Sequence, residues 1–188
     1  MKPYKKVTKK NSEQYFKDFL AKKEPSLKWL KDFVDEKGGD SSKLDFSPVS
    51  LIHLWKTVSP YIKKLKPCPN YEEYLDELPL WFFLHYDSLC GERTGGYDLI
   101  SLKIMEALVY YYAEVFIRNN NYHWEIWKVS KPLTDYNYLP VLMDDKREWL
   151  YPTNKIKVFA VRVWTKDSKL SKTNLYDNYK HFTSKNKS

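Results

Sequence analysis

The chain has 188 residues, 43% of them apolar and 30% charged, with 7 Trp, 16 Tyr and 9 Phe, which suits one folded domain and excludes a disordered chain. Its formal charge of +8 points to acidic partners, but residues 1–10 hold five lysines and no acid, and 166–188 hold six lysines against Asp167 and Asp177. Those ends carry +5 and +4, leaving −1 for residues 11–165. The expected organisation is therefore a basic flexible tail at 1–10, a single α+β domain at 11–165 and a second basic flexible tail at 166–188. No apolar run approaches the roughly 18 residues of a membrane span, and the lysine-rich first thirty residues lack the apolar block of a secretory signal. With only Cys68 and Cys90, no disulfide framework is expected, and two reduced thiols fit a cytoplasmic protein.

From Asn11, the spacing of Tyr15, Phe16, Phe19 and Leu20 predicts a helix, with Asn11 or Ser12 as its cap. Pro25 suits the first turn of a second helix burying Leu27, Leu30, Phe33 and Val34, which Gly38-Gly39 ends. Ser47 and Pro48 open a third helix, and Ser59-Pro60 kinks it or restarts it as PYIKKL. After Pro67 and Pro69, Asn70 caps a short acidic helix, and Pro79 to Leu89 is aromatic enough to be a mostly buried segment. CGERTGG reads as a loop.

The stretch from Tyr97 to Trp127 locates the core. No breaker interrupts 97–118, and its apolar residues surround the axis except for a stripe of Lys103, Glu106, Tyr110, Glu114 and Arg118, so it is expected to be a buried central helix. After Asn119-Asn120-Asn121 the period changes to two, the mark of strands. YHWEIW, YLPVLM, KREWLY and KIKVFAVRVW predict an antiparallel, meander-like sheet of three to four strands.

Glu106 and Glu114 lie on one broad helix face, about 12 Å apart along the axis, too far for a paired-carboxylate site. Pairing of Lys103 with Glu106 and of Glu114 with Arg118 is the simpler expectation. Glu114, set among aromatics, needs a donor from Tyr122, Trp124 or a backbone amide if it is buried. His53, His85, His123 and His181 share no metal-ligand spacing, so neither a metal nor another cofactor is expected, and a nucleophilic Cys90 with His85 or His123 has no local signature. Arg93, Thr94 and Gly95 stand in a glycine-rich stretch that could offer an anion a helix N-terminus, although the phosphate-loop spacings are absent. Trp124, Trp127, Trp149 and Arg162, with Tyr151, Trp164, Lys128, Lys131 and Arg147, could serve either single-stranded nucleic acid or a protein partner.

Leu44-Asp45-Phe46-Ser47-Pro48-Val49-Ser50-Leu51 is similar to the LD(Y/F)S-x-x-SL helix opening of a loose group of small uncharacterised bacterial proteins carrying a domain of unknown function. Tyr112-Ala113-Glu114-Val115, with Trp124 ten residues after the Glu, resembles the group's Y-x-GE-V segment and following tryptophan, with Ala113 in place of the glycine. The resemblance covers about 44–163. It implies the α+β fold, marks Glu114, and suggests an immunity or accessory role in bacterial toxin systems, without assigning a reaction. The leading expectation is a non-catalytic protein-interaction module; the alternatives are nucleic-acid association through the basic tails and an enzyme with a site near Glu114.

Overall fold

The computed structural model describes residues 4–91, 95–128, 136–167 and 170–185. The first helix, α1 (Ser12–Ala21), buries Tyr15 and Phe19 one turn apart, and α2 (Lys23–Glu36) buries Leu27, Leu30, Phe33 and Val34. Asn11 does not cap α1 forward. Its side-chain oxygen accepts from the Thr8 amide at 2.6 Å and closes the preceding turn. Gly38 ends α2 with φ +74°, a conformation that favours glycine. The helix α3 (Ser50–Val58) starts after Pro48, and the Ser47 hydroxyl accepts from the Ser50 amide.

Between α3 and the central helix the chain is less regular than the sequence suggests. A 3-10 turn at Ser59–Tyr61 leads into a short strand, β1 (Lys64–Leu65), where a restarted helix was expected. The acidic segment after Asn70 forms a 3-10 turn, Tyr71–Tyr74, with the Asn70 side chain accepting from the Glu72 amide. The aromatic segment becomes a 3-10 turn, Phe82–His85, and the one-turn helix α4 (Tyr86–Leu89), with Trp81 and Phe82 in the core. Four of the seven residues expected as a loop at CGERTGG belong instead to two strands, β2 (Cys90–Gly91) and β3 (Gly95–Tyr97), which pair antiparallel. With β1 on the other side of β3 they form a three-stranded sheet, registered Lys64 to Tyr97 and Cys90 to Gly96. A Cβ on Gly96 would fall 2.6 Å from Cys68 Sγ, so the bare backbone makes room for the Cys68–Cys90 disulfide, whose Cα atoms are 6.0 Å apart. This bond corrects the expectation of two reduced thiols. Disulfides persist in oxidising compartments, so the cysteines lend no support to a cytoplasmic location.

Helix α5 (Leu99–Asn119) is the expected central helix, and every residue from Ile104 to Phe116 is buried. The Asp98 side chain caps it by accepting from the Ser101 amide at 2.7 Å. Three consecutive tyrosines then tie it to three other segments. The Tyr110 hydroxyl donates to the Phe19 carbonyl of α1 at 2.7 Å, and Tyr111 shares a 2.6 Å hydrogen bond with Ser50 of α3 while accepting from the Phe46 amide. Tyr112 donates to Asn178 at 2.7 Å.

The second sheet is the expected meander, β4 (His123–Ile126), β5 (Pro140–Met143) and β6 (Trp149–Leu150), antiparallel in that order with Trp124 opposite Leu142 and Leu142 opposite Leu150. The architecture is thus α+β, with a three-stranded antiparallel sheet following the central helix. The expected strand KIKVFAVRVW is instead a helix, α6 (Pro152–Trp164). Its β-branched residues imitate a strand, but Pro152 starts the first turn and Ile156, Phe159 and Ala160 fall on one buried face at helical spacing. It packs along α5. No helix among the described residues is long and apolar enough to cross a membrane.

The described residues near both ends are attached to this body. Val7 is buried and Tyr4 donates to Asp18, while α7 (Asn174–Lys185) places Leu175 and Tyr179 in the core. Leu170, Leu175, Tyr179 and Phe182 supply the apolar face that the lysines around them obscured. The expectation of flexible tails at 1–10 and 166–188 is therefore corrected over these described residues. Because Leu175 is fully buried, Leu175→Ala should lower unfolding free energy by about 2–4 kcal/mol in urea titrations; a change below ~0.5 kcal/mol would show α7 undocked.

Candidate functional site

The two carboxylates of α5 meet opposite fates. Glu114, the position marked by the resemblance, is paired on both oxygens: Lys23 Nζ lies 3.0 Å from Oε1 and Arg118 Nε lies 3.2 Å from Oε2. The Arg118 guanidinium also stacks 3.9 Å from the centre of the Phe46 ring. Desolvation pulls the Lys23 ammonium down, and its hydrogen bonds to Glu114 and Glu24 more than reverse this, leaving its pKa above the usual 10.5. The Glu114–Arg118 pair matches expectation, but no donor comes from Trp124, whose Nε1 is buried without a partner. Glu114 fastens the start of α2 to α5.

Glu106 has no such partner. The side chain is 7% exposed, and its Oε1 is buried without a hydrogen bond. The Lys103 that spacing assigned to it turns away and pairs with Glu77. Burial pushes the Glu106 pKa up to about 7, against the opposing pull of Lys22, the Leu80 amide, the Ser26 hydroxyl and Lys103. The carboxyl lines an open cleft of about 190 Å³, together with Lys22, Pro25, Ser26, Trp29, Glu77 and Lys103. The sequence signals only Glu106 and Lys103 here. Lys22, Ser26 and Trp29 arrive through the packing of α2 on α5, which no local pattern announces.

The remaining candidates divide between packing and surface. Trp124 meets Phe19 edge-on at 5.1 Å, and Trp127 and Trp149 pack against each other at 4.7 Å, so these tryptophans serve the sheet's contacts. Cys90 is in the disulfide, which removes it as a nucleophile. His85 Nε2 lies 2.9 Å from the Tyr151 hydroxyl, and burial together with Lys157 lowers its pKa to about 3. His53 accepts from the Asp40 amide, and no group of three or more metal-ligating side chains exists among the described residues. Arg93, Thr94 and Lys131 lie outside the described residues. Gly95 sits in β3 with φ +67°, and the N-terminus of α5 that was to receive an anion is already occupied by the Asp98 carboxylate.

Arg162 belongs to a surface that strand periodicity hid. On α6, Val158, Val161 and Trp164 are 42%, 41% and 38% exposed, three residues apart along the outer side. Lys64 Nζ lies 4.7 Å from the centre of the Trp164 ring and 4.8 Å from that of Tyr97, and Lys157 stands one turn before Val161. Burial lowers the pKa of both lysines, Lys157 to about 8, and no carboxylate among the described residues pairs with either. Arg162 is engaged with Asp167 at 3.8 Å. Reading Pro152 as a helix start would have placed Val158 and Val161 outward.

No family model, no curated protein and no solved structure matches the chain.

The same substitution at the two glutamates should act in opposite directions. Glu106 holds its proton more tightly when folded, so it favours folding below its unfolded value of 4.5 and loses that contribution as pH rises to about 7. At about 1.4 kcal/mol per pH unit this amounts to roughly 2–4 kcal/mol. Glu106→Gln should therefore raise unfolding free energy at pH 8 and change it little at pH 5, whereas Glu114→Gln should lower it at pH 8 by about 1–2 kcal/mol by stripping Lys23 and Arg118 of their acceptor. Urea titrations of both variants at the two pH values check this, and shifts of the same sign at pH 8 would refute the assignment.

Proposed function

We propose that the protein is a binding module that works by docking a partner protein onto the outer face of α6. The observation that carries this reading is the exposed row Val158, Val161 and Trp164, beside two partly buried lysines, Lys64 and Lys157, that pair with no carboxylate among the described residues. An apolar centre with anchoring aromatics and cations is the composition of an interface core, and a tryptophan is the side chain most often found to dominate binding. The partner that fits is a protein surface with apolar side chains and at least two carboxylates. Those carboxylates would meet ammonium groups that have already lost part of their hydration, so little further desolvation opposes pairing. An immunity-like or accessory role, implied by the resemblance to bacterial proteins, is one form of this activity.

A photo-crosslinking amino acid placed at Val158 should give a discrete protein adduct in the native host. Val161→Glu and Lys64→Glu should each reduce that adduct at least tenfold, while the unfolding free energy of Val161→Glu moves by less than about 0.5–1 kcal/mol, as expected for an exposed position. Undiminished adduct in both variants would sink the proposal. An adduct with a second copy of this chain, matched by a dimer in sedimentation, would replace the partner with self-association.

A further inference from the structure

The cleft between α2 and α5 holds two opposite charges that do not reach each other. Glu106 Oε1 is buried without a hydrogen bond, and Lys22 acts through space on both Glu106 and Asp76 yet forms no ion pair with any described carboxylate. Lys103 and Glu77, which line the same cleft, are already paired. A buried carboxyl oxygen with no donor is costly, and the side chain that carries it lines a cleft of about 190 Å³. Pro25 and Trp29 give one wall an apolar character, and Trp29 is held in place by stacking on Phe33 with ring centres 5.0 Å apart.

From this arrangement we infer a second binding site, for a small zwitterionic amino acid with an apolar side chain. The ligand's ammonium group donates to the Glu106 carboxylate, its carboxylate accepts from Lys22, and its side chain lies against Trp29 and Pro25. One molecule thus supplies an opposite charge to each of the two groups, and neither a simple cation nor a simple anion does so. A cation would face Lys22 and Lys103, and an anion would face Glu106 and Glu77.

The site also couples binding to a proton. Groups facing Glu106 are Tyr15 of α1, Lys22 between α1 and α2, Ser26 of α2, Lys103 and Tyr110 of α5, and the Leu80 amide. None neutralises it fully, and burial leaves its pKa at about 7. An arriving ammonium favours the ionised carboxylate, so binding near pH 7 expels part of a proton and weakens as the pH falls below that value.

The test is titration calorimetry of the whole chain with L-leucine, L-valine and L-phenylalanine at pH 8, with N-acetyl-L-leucine and L-leucinamide as probes lacking one charge each. At least one free amino acid should bind, and both blocked probes should bind at least tenfold more weakly than L-leucine. Glu106→Gln and Lys22→Ala should each weaken binding at least tenfold, and repetition at pH 7 in two buffers of different ionisation heat should reveal net proton release. Amide spectra confirm that the variants are folded. The inference falls if none of the three free amino acids perturbs amide resonances of the cleft at 10 mM, if N-acetyl-L-leucine binds as well as L-leucine, or if Glu106→Gln leaves the affinity unchanged. None of these outcomes touches the α6 surface, which the crosslinking experiment judges separately.

Discussion

A helix buried on every side obliges the rest of the chain to answer each polar atom on it. The backbone of α5 satisfies itself, but Ser101, Glu106, Tyr110, Tyr111, Tyr112 and Glu114 all lie within the protein, and each unmet group costs free energy comparable to a lost hydrogen bond. The surrounding elements are placed so that most of this demand is met. Ser101 donates to the carbonyls that precede β1, the three tyrosines reach separate segments, and Glu114 takes cations from α2 and from its own next turn. The fold is a coat of helices and two small sheets whose polar lining is fitted to one helix.

Seen in this way, the two carboxylates differ in what their neighbours deliver rather than in chemistry. Lys22 and Lys23 are adjacent in sequence at the junction of α1 and α2, and only Lys23 reaches the helix carboxylate below it. One glutamate is thereby consumed in joining α2 to α5, and the other keeps a buried oxygen without a donor beside a cleft. The α6 surface presents the complementary shortage, cations without carboxylates. Unanswered charge is what distinguishes both places from the well-paired interior.

Much of the architecture was legible because periodicity and breakers agreed. The breaker-free, largely apolar segment from Leu99 to Asn119 reads as a buried helix, and the alternation beginning at His123 leads directly to β4. Errors arose where composition and period disagreed. The valines of α6 favour strands, yet tertiary burial of Ile156, Phe159 and Ala160 overrides that preference. The lysines before and within α7, among them Lys172 and Lys180, suggest solvent, yet Leu175, Tyr179 and Phe182 give the helix an apolar face. Of the site, sequence spacing identified Glu106 and then assigned it the wrong cation, because Lys103 finds Glu77 from a distant loop. A contact between residues 26 apart in the chain leaves no local trace.

The three tyrosines of α5 have a kinetic consequence. Successive residues on a helix point about 100° apart, so Tyr110, Tyr111 and Tyr112 reach α1, α3 and the segment around Asn178 separately. Replacing each by phenylalanine deletes one hydroxyl and keeps the ring, which makes the trio a built-in set of reporters for folding order. The ratio of the change in folding activation free energy to the change in stability, taken for each tyrosine in turn, tells which layer of the coat has closed on the helix when the transition state is crossed.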